Sequence, residues 1–479
     1  MFKSRVLAAS IGLLLASTFM PMSKANAMSL REAIAIAVES NPEIGQAVEN
    51  REAIEFELRQ AKGLYLPSID LDASTGVRGL DNPTRRSLSL DDDPLYPNEV
   101  GLMVTQKLWD GGARRAELDR QAARVDSAAF RVLERSEAIA LQIVREYMEY
   151  MLQQQIIAES RRNVQFHQKI VSDIDSMISG GTLTEADRQQ ARERLLGAKA
   201  KLKETEETLE AVKASFYRLV GKHIDKPSMP KSVAKALPKS LENAIETARI
   251  ANARIKIANA DIDVADTQVK AARSAYSPEV FAEGGVRTGI DIDGADGRST
   301  YGIVRLVAKW NLYRGGIDVA NEQEQIRRAS EQRLVLHQAH REVEEAVRIS
   351  WDRRIKQNEL ANMLRQQSAA NGELVDTYRE QLSIGQRSLL DVLGAQNTRY
   401  NVSILSKTAE YASRFAEYRI LAATGTLLST LELRSPTQSE AYARAAFNVK
   451  PTQETETYGR TPSRQDNNLP LDLLAPLKK

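Results

Sequence analysis

Leu108-Trp109-Asp110-Gly111-Gly112 returns 204 residues later as Leu312-Tyr313-Arg314-Gly315-Gly316. Ahead of the second copy, Val304, Leu306, Ala308, Trp310 and Leu312 fall on one face of an extended chain, and Tyr301, Arg305, Lys309 and Asn311 fall on the other. Ahead of the first, Val100, Leu102, Val104 and Leu108 oppose Thr105 and Lys107. Alternation with period two is the mark of a strand with one apolar and one polar face. Behind each Gly-Gly the pattern changes. Residues 113–178 and 317–382 contain no proline, and at 1.5 Å per residue each predicts a helix roughly 100 Å long. A helix of that length excludes a compact domain.

The repetition spreads outward from these motifs. Ser29-Leu30, Ala33 and Asn41 recur as Ser240-Leu241, Ala244 and Asn252, and Gly181 and Asp187 recur as Gly385 and Asp391. Two copies follow, 28–219 and 240–431, joined by a proline-containing connector, 220–239. Each copy predicts short helices closed by proline, then two strands, a long helix, a glycine turn and a returning helix. The strands are expected at about 68–80 and 99–110, and at about 279–290 and 300–313. The return helices are expected at 185–220 and 389–428. In the first long helix Leu118, Val125, Val132 and Ile139 lie seven apart, and the line resumes four residues on at Ile143, Tyr150 and Ile157. Heptad spacing with a four-residue insertion is a coiled coil with a stutter. The same line is patchier in the second copy. Residues 432–479 read as a polar, proline-containing tail, largely disordered, with an anchored beginning that packs on the body.

The rest of the composition narrows the function. With 66 Lys+Arg against 64 Asp+Glu, there is no basic field to attract nucleic acid. Zero cysteines exclude disulfides, thiolate metal sites and thiol nucleophiles. His337 and His340 stand three apart without a third ligand placed by any motif, and Asp291 to Gly297 lacks the closing glutamate of a calcium loop. No phosphate loop, zinc-protease motif or nucleophile elbow is present, so neither an enzyme nor a cofactor or metal is expected. At the start, Lys3 and Arg5 precede an apolar run from Val6 to Met20 and the small residues Ala25-Asn26-Ala27. That pattern predicts an export signal over 1–27.

An exported chain with strands apolar on one face has two readings. One is a periplasmic or surface coiled-coil protein with a soluble sheet. The other is an outer-membrane barrel whose charged strand faces, Asp70, Asp72, Lys107, Glu283, Arg287, Arg305 and Lys309, line a water-filled lumen. Four strands cannot close a barrel, but three chains supply twelve. Trp109, Trp310 and Tyr313, at strand ends, then suit the membrane interface.

The order of elements, the duplicated Gly-Gly motif and Ile384-Gly385-Gln386-Arg387-Ser388-Leu389-Leu390-Asp391-Val392-Leu393 together resemble the TolC family of outer-membrane channel proteins. The resemblance implies an α+β membrane protein: long α-helical hairpins forming an α-barrel, plus four transmembrane strands per chain in a trimeric twelve-stranded barrel. It implies an exit duct in the outer membrane, reaching across the periplasm, for type I protein secretion or drug efflux. The implied partners are two further copies, outer-membrane lipid, a periplasmic adaptor protein and an inner-membrane ABC or proton-driven transporter. Carried over residue by residue, Asp391 matches an acidic ring at the periplasmic entrance, and Arg387 and Asp187 match partners in links that hold it shut. The turns at Gly180, Gly181, Ile384 and Gly385 match the adaptor-docking tips. Gly394 and Leu382 depart from the family pattern, where a second acidic ring and a tyrosine are expected, which predicts a less tightly latched entrance.

Overall fold

The computed structural model describes residues 28–90, 92–225, 227–294 and 297–451. The expected export signal lies outside them, as does the tail beyond Pro451. Each copy opens with two helices, α1 (Leu30–Ser40) and α2 (Pro42–Gly63), matched later by α6 (Leu241–Ala251) and α7 (Ala253–Ser274). Ser29 and Ser240 cap the first of each pair by accepting a backbone N–H three residues on, which satisfies one of the free donors at a helix start.

The strands are β1 (Ser68–Thr75), β2 (Asn98–Trp109), β3 (Glu279–Ile290) and β4 (Arg298–Lys309), in one antiparallel sheet in chain order. Two strands are shorter than their alternation predicts. β1 ends at Thr75, and beyond Gly76 only Arg78 bridges back, to Leu95, before a small helix, α3 (Pro83–Ser87), takes over. β4 ends at Lys309 because its partner β3 begins at Glu279, directly after Pro278. No ladder remains for Trp310 to Tyr313.

Behind Gly111-Gly112 rises α4 (Ala113–Ser179), returning as α5 (Glu185–Val220); behind Gly315-Gly316 rises α8 (Ile317–Ser383), returning as α9 (Leu389–Thr424). Gly111 has φ +61° and lies so close to Ser277 that a Cβ would come within 2.4 Å of it, so the strand-to-helix corner admits no side chain. The return helix α9 stops at Thr424, not at 428, because Gly425 takes the left-handed conformation (φ +73°) and a separate turn, α10 (Leu427–Thr430), follows. The buried positions of α8 are Ala329, Leu336, Val343 and Ser350, then Val347, Ala361, Val375 and Leu382. The first series runs in sevens and the second in multiples of seven, with the half-buried Arg354 and Ser368 between its members, and the phase jumps by four from Val343 to Val347. Ile139 and Ile143 make the same jump in α4, at the equivalent place. The second copy's heptads are as regular as the first's, but its core positions include Ala and Ser, which blur a pattern read from hydrophobicity alone.

The long helices form one layer. Near the sheet α2, α4, α7 and α8 lie side by side; farther away the order is α5, α4, α9, α8. At the level of the two phase jumps, α1 and α10 pack on the layer around Ile143, Tyr147 and Leu421, and α6 packs on Leu336, Val343 and Val347. The beginning of the tail is fixed to this layer, as expected. The short helix α11 (Ala443–Ala446) docks with Val449 on Leu58, Leu118 and Val125, and the buried Arg444 reaches Asp126 at 2.9 Å and Asp263 at 2.6 Å. Asp126 also accepts the backbone N–H groups of Tyr442, Ala443 and Arg444.

Candidate functional site

The apolar sheet face is bare. Ile69, Leu71, Leu102, Val286 and Leu306 are exposed, and Val304 keeps 92% of its surface. A soluble sheet would bury such a face. β1 and β4 also leave their outer edges unpaired.

The opposite face is laced by ions. Arg287 donates to Glu99 (2.9 Å) on β2 and Asp72 (3.0 Å) on β1, and Arg305 pairs with Glu283 (2.7 Å). Lys107 approaches Glu279 (3.5 Å), and the ammonium groups of Lys107 and Lys309 both stand 5.3 Å from the Phe281 ring. Asp70 accepts only the hydroxyl of its neighbour Ser68. Glu99, Glu279 and Phe281 were not singled out by sequence; their strand register with Arg287 and Lys107 is the signal that finds them. At the helix-side end, Trp109, Trp310 and Tyr313 are all exposed, and the Trp310 indole donates to the Tyr276 carbonyl at 3.1 Å.

At the other end of the helices, two equivalent turns form a tip. Gly181 and Gly385 both have φ +75°, a conformation that a Cβ disfavours. Asp187 lies at the third position of α5 in a capping box: the Thr184 hydroxyl accepts its N–H, and its carboxylate accepts the Thr184 N–H at 2.8 Å. Asp391 stands in the same place on α9, its N–H bonded to the Ser388 hydroxyl, whose proton goes to the Asp391 carboxylate (2.8 Å). Arg387 lies 3.8 Å from Asp391, stacks 4.2 Å over the Tyr378 ring and donates to Gln381. Within the protomer it makes no ion pair with Asp187. Leu382 is buried in a cluster with Ile174, Leu183, Leu389 and Val392 that ties the two hairpin ends together, while Ile384 stands exposed. Nothing lies within 4 Å of a Cβ built on Gly394.

Two further features link the ends. α5 stops where α2 begins, and α9 stops where α7 begins. At each joint one asparagine serves both helices: Asn41 accepts from the Glu43 N–H and donates to the Leu219 carbonyl (2.8 Å), and Asn252 accepts from the Arg254 N–H and donates to the Ala423 carbonyl (2.8 Å). Their recurrence was visible in the sequence, but their task was not. Beside the second joint lies Glu137, 8% exposed, one oxygen 3.2 Å from the Leu428 N–H and the other without a partner. Burial pushes its carboxyl up to about 7, against the opposing pull of the Leu428 and Leu427 N–H groups. No group of three or more metal-ligating side chains occurs among the described residues.

Comparison with known proteins agrees with this architecture. The sequence profile of the outer membrane efflux protein family matches residues 33–222 and 244–426, one match to each copy. The chain is 26% identical over 331 residues to the outer membrane efflux protein BepC of Brucella suis biovar 1 (strain 1330), covering 68% of this chain and 72% of that one. It is 23% identical over 411 residues to the outer membrane protein TolC of Escherichia coli (strain K12), covering 81% and 80%. In fold it is similar to the outer membrane protein VceC of Vibrio cholerae, with a TM-score of 0.72 and 16% identity over 83% of this chain and 96% of that one. Two copies of strand pair and helical hairpin, each matched by the profile, make this chain a member of the outer membrane efflux protein family, a channel protein of the outer membrane and not an enzyme.

Proposed function

We propose that three copies of this chain close into a twelve-stranded barrel continued by a helical tube across the periplasm, an exit duct that conducts substrates passively. The observation that carries this reading is the four-stranded sheet with both edges unpaired and its apolar face bare. Unpaired edges in lipid leave backbone groups unsatisfied, which only closure cures. The helical layer supports the same assembly. Its outer member α8 exposes Ile349, Leu360, Met363 and Leu374, apolar surface that the α5 or α2 edge of a neighbouring copy would cover.

The duct is fed at the hairpin tips. An adaptor protein docks at the turns of Gly180, Gly181, Ile384 and Gly385, and delivers cargo from an inner-membrane ABC or proton-driven transporter. Three Asp391 carboxylates around the axis form a cation-selective entrance, which Arg387 neutralises in part and Asp187 of an adjoining hairpin helps to latch. The cargo is exported protein, drugs or both.

The test is fractionation followed by sizing and conductance. The protein is expected in the outer membrane, as a trimer in mild detergent, with channels in planar bilayers. Recovery in the soluble periplasmic fraction as a monomer overturns the proposal in favour of a coiled-coil spacer.

A further inference from the structure

Along α4, Ser160, Asn163, His167, Ile170 and Ile174 are all buried and follow one another at heptad spacing, so they form one stripe of the helix. The stripe meets α9, and on the side away from the tip its contacts are polar. The Ser160 and Tyr400 hydroxyls bond at 2.8 Å, and Asn163 accepts from the Gln396 amide at 2.9 Å. Nearer the tip, Ile170 and Ile174 close the seam in the apolar cluster of Leu389, Val392 and Leu393. His167 stands between, where the hydrogen bonds stop and the apolar cluster begins. It keeps 4% of its surface, and its Nδ1 is buried with no hydrogen-bond partner. Few charged groups surround it. From α5, Arg194 and Glu193 act on it as a pair 3.4 Å apart. From α8, Arg379 lies 5.5 Å over the ring of Phe166, which meets the imidazole at right angles. No charged group of α9 acts on it.

Neutral imidazole fits this place and imidazolium does not. Whichever nitrogen carries the proton of the neutral ring, the charged ring presents an N–H at Nδ1 with nothing to receive it. Its charge has no carboxylate of its own either, because Glu193 is engaged by Arg194, and a buried charge without a partner is costly. We propose that His167 makes the seam between the two hairpins acid-sensitive: a proton on the imidazole loosens α4 from α9 just above the tip, and its loss lets them close. Burial first, and Arg194 after it, hold the pKa of His167 below the ordinary 6.5, against the weaker opposite pull of Glu193. The closed seam therefore takes up the proton less readily than the open one, and closure loses stability as pH falls below 6.5. At pH 5.5, one unit lower, the ratio of closed to open seam falls by up to about tenfold. The seam lies within one protomer, so it stands or falls separately from barrel closure and conduction.

The test uses the full-length protein in detergent, with hydrogen exchange read by mass spectrometry at pH 8 and pH 5.5 and labelling times scaled for the intrinsic rates. Peptides over 160–174 and 389–400 are expected to lose protection at pH 5.5, by up to about tenfold, while those over 198–212 in α5 keep theirs. His167→Gln is neutral at both pH values and is expected to be equally protected at both. His167→Leu, apolar and of similar size, is expected to behave alike. Equal protection of the unmodified protein at the two pH values, an undiminished pH response in the folded variants, or protection already lost at pH 8 in both variants overturns the proposal.

Discussion

Asn252 donates from Nδ2 to the carbonyl of Ala423 at 2.8 Å, joining the end of one helix to the start of another that is distant in sequence. Its Oδ1 meanwhile caps α7. Aspartate keeps the second bond and cannot make the first, so Asn252→Asp isolates the joint. A buried carbonyl left facing a carboxylate costs about 1–3 kcal/mol. The thermal unfolding midpoint in detergent is expected to drop by several degrees, with the same result for Asn41→Asp at Leu219.

Arg444 is the cation for two buried carboxylates, Asp126 and Asp263. Arg444→Met takes that cation from both, and removing one member of a buried ionic group costs about 3–5 kcal/mol. Residues 436–451 are expected to detach. Hydrogen exchange should show lost protection there and along the facing turns of α4 and α7, and unchanged exchange in that segment would contradict the clamp.

Glu137 makes stability depend on pH. Its carboxyl is held at about 7 in the folded protein, against 4.5 ordinarily, so between those values the folded state keeps a proton that the unfolded chain releases. Stability is therefore greatest below pH 4.5 and declines as pH rises through 7, by about 3 kcal/mol in all at ~1.36 kcal/mol per unit. Glu137→Gln should flatten that part of the profile. Unfolding midpoints of both proteins from pH 4.5 to 8 check it.

The entrance assignment predicts distinct effects from two neighbours. Asp391→Asn keeps an acceptor for the Ser388 hydroxyl, hence the helix cap, and removes the charge, so block of bilayer conductance by multivalent cations should be lost. Arg387→Ser should raise conductance, because the contacts to Gln381 and Tyr378 go with the charge. Unaltered block and conductance in both variants would leave Arg387 and Asp391 as an ordinary helix pair worth a few tenths of a kcal/mol.

Val304, midway along the edge strand β4 and exposed on the bare face, tests the lipid contact. Val304→Arg is expected to cost about 2–4 kcal/mol if this position lies at the bilayer midplane, seen as less trimer in the outer membrane at equal synthesis.

The large architecture was legible because it rests on periodicities. Alternation placed β3 over Glu279–Ile290 and freedom from proline placed α4 and α8. Strand ends were less legible, since Trp310 to Tyr313 alternate like a strand and stop being one only for want of a partner. The anchored start of the tail was expected but its means were not: Arg444 looks like one more polar residue until the two carboxylates that receive it are seen on different helices. Asp187 and Asp391 illustrate the limit for the site. Family likeness pointed to an entrance, while Thr184 and Ser388, three residues earlier, spell the helix cap that both carboxylates also serve.

The asparagine joints have a mechanical consequence. Of the four rods that one chain would contribute to the proposed tube below the joints, α4 and α8 are covalently continuous to the sheet, whereas α5 and α9 end at the joints, where one asparagine amide apiece bonds their last turns to the helix above. In the order α5, α4, α9, α8, spliced and continuous rods alternate. In the proposed tube a pull on the tip would reach the sheet directly along every second rod, and along the others through their neighbours, to which α9 is tied by hydrogen bonds of Tyr411 with Gln155, Tyr400 with Ser160 and Gln396 with Asn163.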